Sequence, residues 1–230
     1  MDKRILEERF FKVLMIGSTF IVVGSLFALF LVVVLKGAPA LSLSMITQTP
    51  KGGYYLGKEG GVLNAIVGSL YLGIGATVLA LIIALPAALF LQKDYIGGSR
   101  FATVTRLSLD ALWGVPSIVY GAFGFIIMVY LGIRASLLGG IIVLTLLELP
   151  IMVRALDEVV RRVPQELKYE SYAIGATKLE TTINIVCRQI LPGAVTAVLL
   201  AFGRGIGDAA SILFTTGYTD RLPHSLLDPV

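Results

Sequence analysis

Arg204 and Asp208 lie within a long apolar segment, where an isolated charge is costly. They are four residues apart, which places both side chains on one face of a helix. A charged side chain at the centre of a bilayer costs about 2.5–3.5 kcal/mol on insertion scales, so such groups usually face a bundle interior or a wet path. Two interpretations are open: an ion pair that only holds helices together, or the polar lining of a translocation path, which we favour.

Residues 205–208 also match the G-x-G-D pattern of intramembrane aspartyl proteases, with Asp110 as a potential second carboxylate. That chemistry needs two carboxylates that share a proton. Asp110 falls at the end of a predicted span rather than at the depth of Asp208, and Arg204 would favour the ionised form of Asp208. A protease is therefore the weaker alternative.

The elements that must position these residues are membrane spans. The mean hydropathy is +0.86, with 56% hydrophobic and 15% charged residues. Because hydrocarbon requires backbone groups to be satisfied internally, each apolar stretch of about 20 residues predicts a spanning helix. The sequence predicts an all-α, polytopic membrane protein, with one transmembrane domain over residues 1–230. The predicted spans cover residues 13–35, 63–91, 107–132, 136–153 and 193–216.

Two of these spans contain residues that need comment. Residues 114–117 (GVPS) predict a kink in the third span, because proline interrupts a helix. Glu148 precedes Pro150 and is expected near the cytoplasmic end of the fourth span. There it is either an interhelical structural carboxylate or a functional one.

The distribution of Lys and Arg predicts the orientation. Thirteen of them fall in the N-terminal tail, the connection after the second span and the segment 154–192, against five in the opposite connections. Basic residues favour the cytoplasmic side, which places the N-terminus there in a multi-pass protein of the cytoplasmic membrane. The net charge of +4 is accounted for by this asymmetry, so membrane lipid rather than nucleic acid is the expected partner.

The segment 154–192 carries eleven charged residues between two apolar spans, and predicts a rigid elbow at the membrane surface. Pro164 suits the first turn of a helix, and Gly175 suits its end. Thr177 followed by Glu180 three residues later predicts a capping box that starts a second helix. A spanning protein needs only a few residues to turn around, so a long helical insert indicates a docking surface.

Several kinds of chemistry have no residues to support them. One Cys and one His exclude an internal disulfide and make a zinc site or a Cys–His catalytic pair implausible. No glycine-rich phosphate-binding loop with its lysine is present, so hydrolysis of ATP by this chain is not expected. We therefore predict no catalytic and no metal-binding residues.

Five segments together have the pattern of one known family. They are residues 170–178 (ESYAIGATK) with 191–193 (LPG), 60–70 (GGVLNAIVGSL), 114–121 (GVPSIVYG), 149–154 (LPIMVR) and 204–208 (RGIGD). The first resembles the cytoplasmic coupling loop of ABC importer permeases. The others are similar to the permease subunits of the phosphate-specific ABC importer, most of all the A-type subunit.

The resemblance implies a helical bundle like that of type I importers, with a cytoplasmic coupling helix. It implies a heterodimer with a sister permease, two ATPase subunits and an extracytoplasmic phosphate-binding protein. It implies no cofactor on this chain, because ATP-Mg would be used by the ATPase subunits. The family has six spans, of which five are visible here and the sixth is missing. Another oxyanion remains open as the substrate.

The resemblance also implies roles for individual residues. The substrate pathway would contain Arg204, Asp208 and, at the cytoplasmic exit, Arg154, although a positive-inside anchor remains open for Arg154. Coupling to the ATPase would involve Glu170, Ser171, Ala173, Gly175, Ala176 and Thr177.

Overall fold

The computed structural model describes residues 3–51 and 60–230. Within the described part, the chain is helical, as predicted for an all-α membrane protein. It divides into two compact units, Met1–Thr47 and Gln48–Val230.

The first unit is dominated by helix α1, Lys3–Gly37. A short 3₁₀ turn, Ala38–Ala40, and helix α2, Leu43–Thr47, follow it. At 1.5 Å per residue, α1 is about 52 Å long, which exceeds the roughly 30 Å hydrocarbon core of a bilayer. Its described side chains are almost all exposed and mostly apolar, so it has the length and composition of a span. The predicted span 13–35 lies inside it.

The second unit contains the remaining helices. They are α3 (Leu63–Phe90), α4 (Arg100–Trp113), α5 (Ser117–Tyr130), α6 (Leu137–Arg161), α7 (Gln165–Ala173), α8 (Lys178–Thr181) and α9 (Cys187–Ile206). A π-helical turn, Thr182–Val186, joins α8 to α9.

Helix α6 is the centre of this unit, and its neighbours bury about two-thirds of the residues in its most apolar stretch. Helix α3 packs against it with four alanines spaced four residues apart, all fully buried: Ala76, Ala80, Ala84 and Ala88. Small residues at this spacing allow two helix backbones to approach closely, which is how helices associate where burial of apolar surface gives no driving force. Large apolar side chains on the outer faces of the bundle remain exposed, as lipid-facing residues do.

The kink predicted at residues 114–117 is confirmed, but it divides the predicted third span, 107–132, into two helices, the first of which begins at Arg100. Helices α4 and α5 meet at a bend of 99°, because Pro116 cannot continue the hydrogen-bond ladder of α4. Arg106 in α4 binds Asp157 near the C-terminal end of α6, and Met128 in α5 contacts Gly139 near its N-terminal end. The pair therefore runs from one end of α6 to the other as a broken span.

The bounds of the last two predicted spans also differ from the structure. Helix α6 continues to Arg161 instead of ending at 153, because ion pairs satisfy the charged residues of its last turns. Helix α9 ends at Ile206, not at 216. Turns of irregular backbone follow, and their carbonyls at Ala210 and Ser211 lie where a side chain at Gly121 would be. Irregular backbone at membrane depth needs such cover from protein.

The C-terminal segment closes one end of the bundle. Thr215 accepts a hydrogen bond from Ser136, the N-cap of α6, at 2.9 Å. Asp228 and Leu226 then accept from the first two amides of the helix, Leu137 and Leu138, both at 2.8 Å. These carbonyls satisfy amide groups that a helix N-terminus leaves without intrahelical partners.

Candidate functional site: a mid-depth ion pair and a surface elbow

Arg204 lies in the last turn of α9, and its guanidinium is 3.4 Å from the Asp208 carboxylate. The two residues were predicted within one helix, but α9 ends between them and Asp208 lies in the turn beyond. Asp208 is buried, and its other oxygen accepts a hydrogen bond from the Ser211 amide at 2.8 Å. The Arg204 side chain is 48% exposed, so most of its five donors are available to a ligand or a partner chain.

This ion pair is level with the middle of the central helix. Gly205 packs against the carboxylate of Glu148, which is the twelfth of the 25 residues of α6. The expectation that Glu148 lies near the cytoplasmic end of its span is therefore wrong, because α6 extends eight residues further than predicted. Arg204 is thus level with the middle of α6 and distant from both ends of that helix.

Glu148 is fully buried and only half satisfied. One carboxylate oxygen accepts a hydrogen bond from the Thr77 hydroxyl of α3 at 3.0 Å, and the other has no hydrogen-bond partner among the residues that the structure describes. The unpartnered oxygen faces Gly205, where any side chain would collide with it. Three helices thus meet at one carboxylate next to Arg204.

Two helix ends come together at this depth. Helix α9 stops at Ile206, and α5 begins at Ser117, whose side chain lies beside the Asp208 carboxylate. An anionic side chain is favourable near a helix N-terminus, because the peptide dipoles leave positive charge there. Broken helices at mid-depth supply polar backbone groups that a continuous helix would hide.

Arg154 belongs to a second charged cluster, closer to the C-terminal end of α6. It donates to Asp110 of α4 at 2.6 Å and to Asp157 at 3.3 Å. Asp110 is therefore paired with Arg154, and Asp208 with Arg204, so the structure does not bring together the two carboxylates that a protease would need.

Asp157 is the residue that sequence reasoning missed here. Its carboxylate is fully buried and is within 3.4 Å of three guanidinium groups, those of Arg106, Arg154 and Arg161. Arg106 also donates to the Leu91 carbonyl at 2.6 Å, which ties the end of α3 to α4. The signal was present, because Arg154 and Arg161 stand three residues before and four after Asp157 on one helix.

The elbow has the predicted form. Helix α7 ends at Ala173, and Gly175 adopts a left-handed conformation with a φ of +90°. Thr177 and Glu180 form both hydrogen bonds of a capping box at the start of α8. The sequence prediction of helix, tight break and helix is confirmed.

The six residues predicted to couple to an ATPase do not share one environment. Glu170, Ala173, Gly175 and Thr177 are exposed, and Ala176 is half-buried. Ser171 is buried, and its hydroxyl is 2.8 Å from that of Thr181. Ser171 therefore holds α7 to α8 rather than facing outward.

A buried lysine anchors the elbow to the rest of the bundle. Lys168 in α7 is 2% exposed and donates to Asp94 at 2.7 Å and to Gln92 at 2.9 Å, both in the connection after α3. Gln92 in turn donates to Thr182 at 3.2 Å. Tyr172 lies beside the same connection, where burial, and secondly the charge of Asp94, raise the pKa of its hydroxyl. None of these long-range contacts follows from local sequence pattern.

Within the described ranges, no group of three or more His, Cys, Asp or Glu side chains could hold a metal ion. The charged clusters mix arginine with carboxylate, a donor set that suits anions and ion pairs better than cations.

Comparison with known proteins identifies the family. The family described as binding-protein-dependent transport system inner membrane component matches residues 84–228. The chain is 39% identical over 164 residues to phosphate transport system permease protein PstA 1 of Mycobacterium tuberculosis, covering 71% of this chain and 53% of that protein. It is 34% identical over 222 residues to phosphate transport system permease protein PstA of Haemophilus influenzae, covering 94% and 77%. The chain thus spans about half the length of the mycobacterial relative.

A solved structure supports the fold. The methionine ABC transporter MetNI, in an inward-facing conformation, superposes with a TM-score of 0.58 over 64% of this chain and 70% of the other, at 19% identity. The family match and the relative from Haemophilus influenzae show that the chain belongs to the family of binding-protein-dependent transport system inner membrane components, and within it to the PstA-type phosphate transport system permeases.

Proposed function

We propose that this chain is a permease subunit of an ATP-driven importer that moves inorganic phosphate across the cytoplasmic membrane. The observation that carries the proposal is the Arg204 guanidinium, half-exposed at the depth of Glu148 in the middle of α6. A phosphate anion entering lipid would lose its hydration, and a guanidinium offers it two parallel hydrogen bonds as well as charge.

The exposure of Arg204 supports a pore shared with a second subunit. Arg204 and Asp110 are each nearly half exposed, although both belong to helices of the candidate spans. Charges on an outer face of the bundle are costly unless a wet path or another protein covers them. We propose a sister permease as that second wall, in a heterodimer that also binds an extracytoplasmic phosphate-binding protein.

We propose that two ATPase subunits dock on the elbow and use ATP-Mg there. Apolar side chains that are largely exposed surround the break between its helices: Tyr169, Ile174 and Leu179. Ile174 is 86% exposed, which is costly in water and typical of a protein interface. Motion of the elbow would reach the bundle through Lys168 and the connection at Gln92 and Asp94.

The test of the proposed function is phosphate uptake by the assembled importer. Arg204→Ala is expected to abolish uptake of radiolabelled phosphate while the complex still assembles. Arg204→Lys should restore uptake only in part, because an ammonium group cannot donate two parallel hydrogen bonds to a phosphate as a planar guanidinium does. Arg188→Ala, an exposed arginine on the same helix, is the matched control and should transport normally. Uptake that persists in Arg204→Ala would refute the role of this residue. If molybdate competes with phosphate for uptake and is preferred, the substrate is molybdate rather than phosphate.

The proposed cytoplasmic N-terminus has its own test. In a Cys187→Ser background, a cysteine at Arg162 should react with an impermeant thiol reagent only from the cytoplasmic face. A cysteine at Ser225 should react only from the other face. Both positions are exposed in the structure, so the opposite pattern would invert the orientation.

A further inference from the structure

A cavity of about 380 Å³ lies where the C-terminal ends of α3 and α6 meet the elbow. Its polar lining consists of four cations and two amides: Lys93, Arg106, Arg161, Lys168, Gln92 and Gln165. No carboxylate from the described part of the chain lines it. The role proposed above for Arg204 does not involve this cavity, which sits at the far end of α6 from the segment that closes its N-terminus.

The carboxylates that pair with the lining residues do not balance the positive charge of the cavity lining. Asp157 pairs with Arg106 and Arg161 and is shared with Arg154, while Asp94 pairs with Lys168. Lys93 is exposed and takes part in no ion pair among the described residues. Four lining cations against two carboxylates leave an excess of two positive charges around one partly open cavity.

We propose that this cavity binds a phosphate-type anion, either the headgroup of an anionic membrane lipid such as phosphatidylglycerol or free inorganic phosphate. Guanidinium and ammonium groups bind phosphate oxygens through charge-assisted hydrogen bonds. The location at the ends of two spans is at headgroup level, where basic pockets between helices recognise anionic lipids. At roughly 30 Å³ per water, the space exceeds that of about ten waters, enough for a partly hydrated phosphate group.

A bound anion would act on the elbow. Arg106 belongs to α4, Arg161 to α6 and Lys168 to α7, so one phosphate group would bridge three elements. It would add to the hydrogen bonds through which Lys168 holds α7 in place. Occupancy of the cavity would thus brace the elbow against the bundle.

The test is a binding titration on the purified full-length permease complex in detergent, read by native mass spectrometry and by thermal unfolding. One arm adds phosphatidylglycerol against phosphatidylcholine, and the other adds inorganic phosphate against chloride at equal ionic strength. Each basic residue near an anionic headgroup contributes about 1 kcal/mol, which is roughly a fivefold change in affinity. Lys93→Gln/Arg161→Gln removes two such residues and should therefore weaken binding roughly 30-fold. Lys93→Gln alone, which breaks no internal ion pair, should weaken it roughly fivefold.

Two controls decide the result. Arg162→Gln/Arg188→Gln removes two exposed arginines outside the cavity and should bind as the parent does. Arg204→Ala should bind phosphatidylglycerol as the parent does, because Arg204 does not line this cavity, and in the phosphate arm it should leave the share of binding that Lys93→Gln/Arg161→Gln removes unchanged. Selective loss in the phosphatidylglycerol arm supports a lipid site, and selective loss in the phosphate arm supports a solute site. No binding in either arm, equal loss in the control pair, or loss of that binding in Arg204→Ala instead would each overturn the proposal.

Discussion

Two cations, Lys168 and Arg204, are held in opposite ways. Lys168 is 2% exposed, and its ammonium has two partners within 2.9 Å. Arg204 is 48% exposed and has one carboxylate at 3.4 Å. A satisfied buried charge fixes the position of an element, whereas an arginine with free donors is available to bind something else.

The same contrast separates the carboxylates of the two regions. Asp157, near the elbow, is within reach of three arginines. Glu148, at mid-depth, has one hydroxyl partner and one oxygen without any. Polar groups that are buried and unsatisfied cost free energy, so Glu148 is less well stabilised by its surroundings than Asp157 is.

The largest expected effect is on the anchor of the elbow. Lys168→Met leaves Asp94 and Gln92 without their ammonium partner, and breaking a buried pair costs about 3–5 kcal/mol. Asp94 retains some solvent contact, so we expect a loss near about 3 kcal/mol, measured as a lower thermal midpoint of the purified complex.

Lys178→Met is the control for this anchor. Lys178 is exposed and donates only to the Asp94 backbone carbonyl, so its loss should cost about 1 kcal/mol or less. Equal destabilisation by the two variants would mean that Lys168 is not a special anchor, and the contrast with Arg204 would fail.

The next effect tests the mid-depth site. In Gly205→Ala, the added methyl group would collide with the buried Glu148 carboxylate, and overpacking of this kind costs about 1–3 kcal/mol. We expect phosphate uptake to fall to near background in transport assays. Gly203→Ala adds a methyl group in open space on the same helix and should transport normally.

A second-site change sharpens this test. Glu148→Ala removes the group that Gly205→Ala would strike, so the double variant should assemble more stably than Gly205→Ala alone. Normal uptake in Gly205→Ala would show that Glu148 can move aside, and the close packing of the three helices there would carry no functional constraint.

The sequence was sufficient for features that depend on neighbours in the chain. The elbow followed from Gly175 and the Thr177–Glu180 spacing, because turns and caps are local. The bend at Pro116 was foreseen as a kink, but proline indicates a break and not its angle. The end of α9 at Ile206 was missed, because the apolar sequence continues beyond it. The ion pairs of Lys168 and Asp157 join residues far apart in sequence, and they depend on how the helices pack.

A smaller effect is expected at the break of the elbow. Gly175→Val places a β-branched residue at a φ of +90°, which costs about 1–2 kcal/mol and changes the direction of α8. Membrane insertion should be unaffected, but uptake and copurification of the ATPase should both decrease. Gly175→Asn should retain more of each, because asparagine tolerates the left-handed conformation. Full uptake and full copurification of the ATPase in Gly175→Val would show that docking does not depend on the geometry of the elbow.

The smallest effect is expected from the capping box. Thr177→Ala removes the hydroxyl that accepts from the Glu180 amide, and loss of an N-cap typically costs about 1 kcal/mol. Because Lys168 and Ser171 still hold α7, we expect the thermal midpoint of the complex to change little and the ATPase to copurify less well. Thr177→Ser keeps the cap and is the matched control. If Thr177→Ala instead destabilises the complex as much as Lys168→Met, the elbow depends on its cap rather than on its buried lysine, which would reverse the assignment of Lys168 as the anchor.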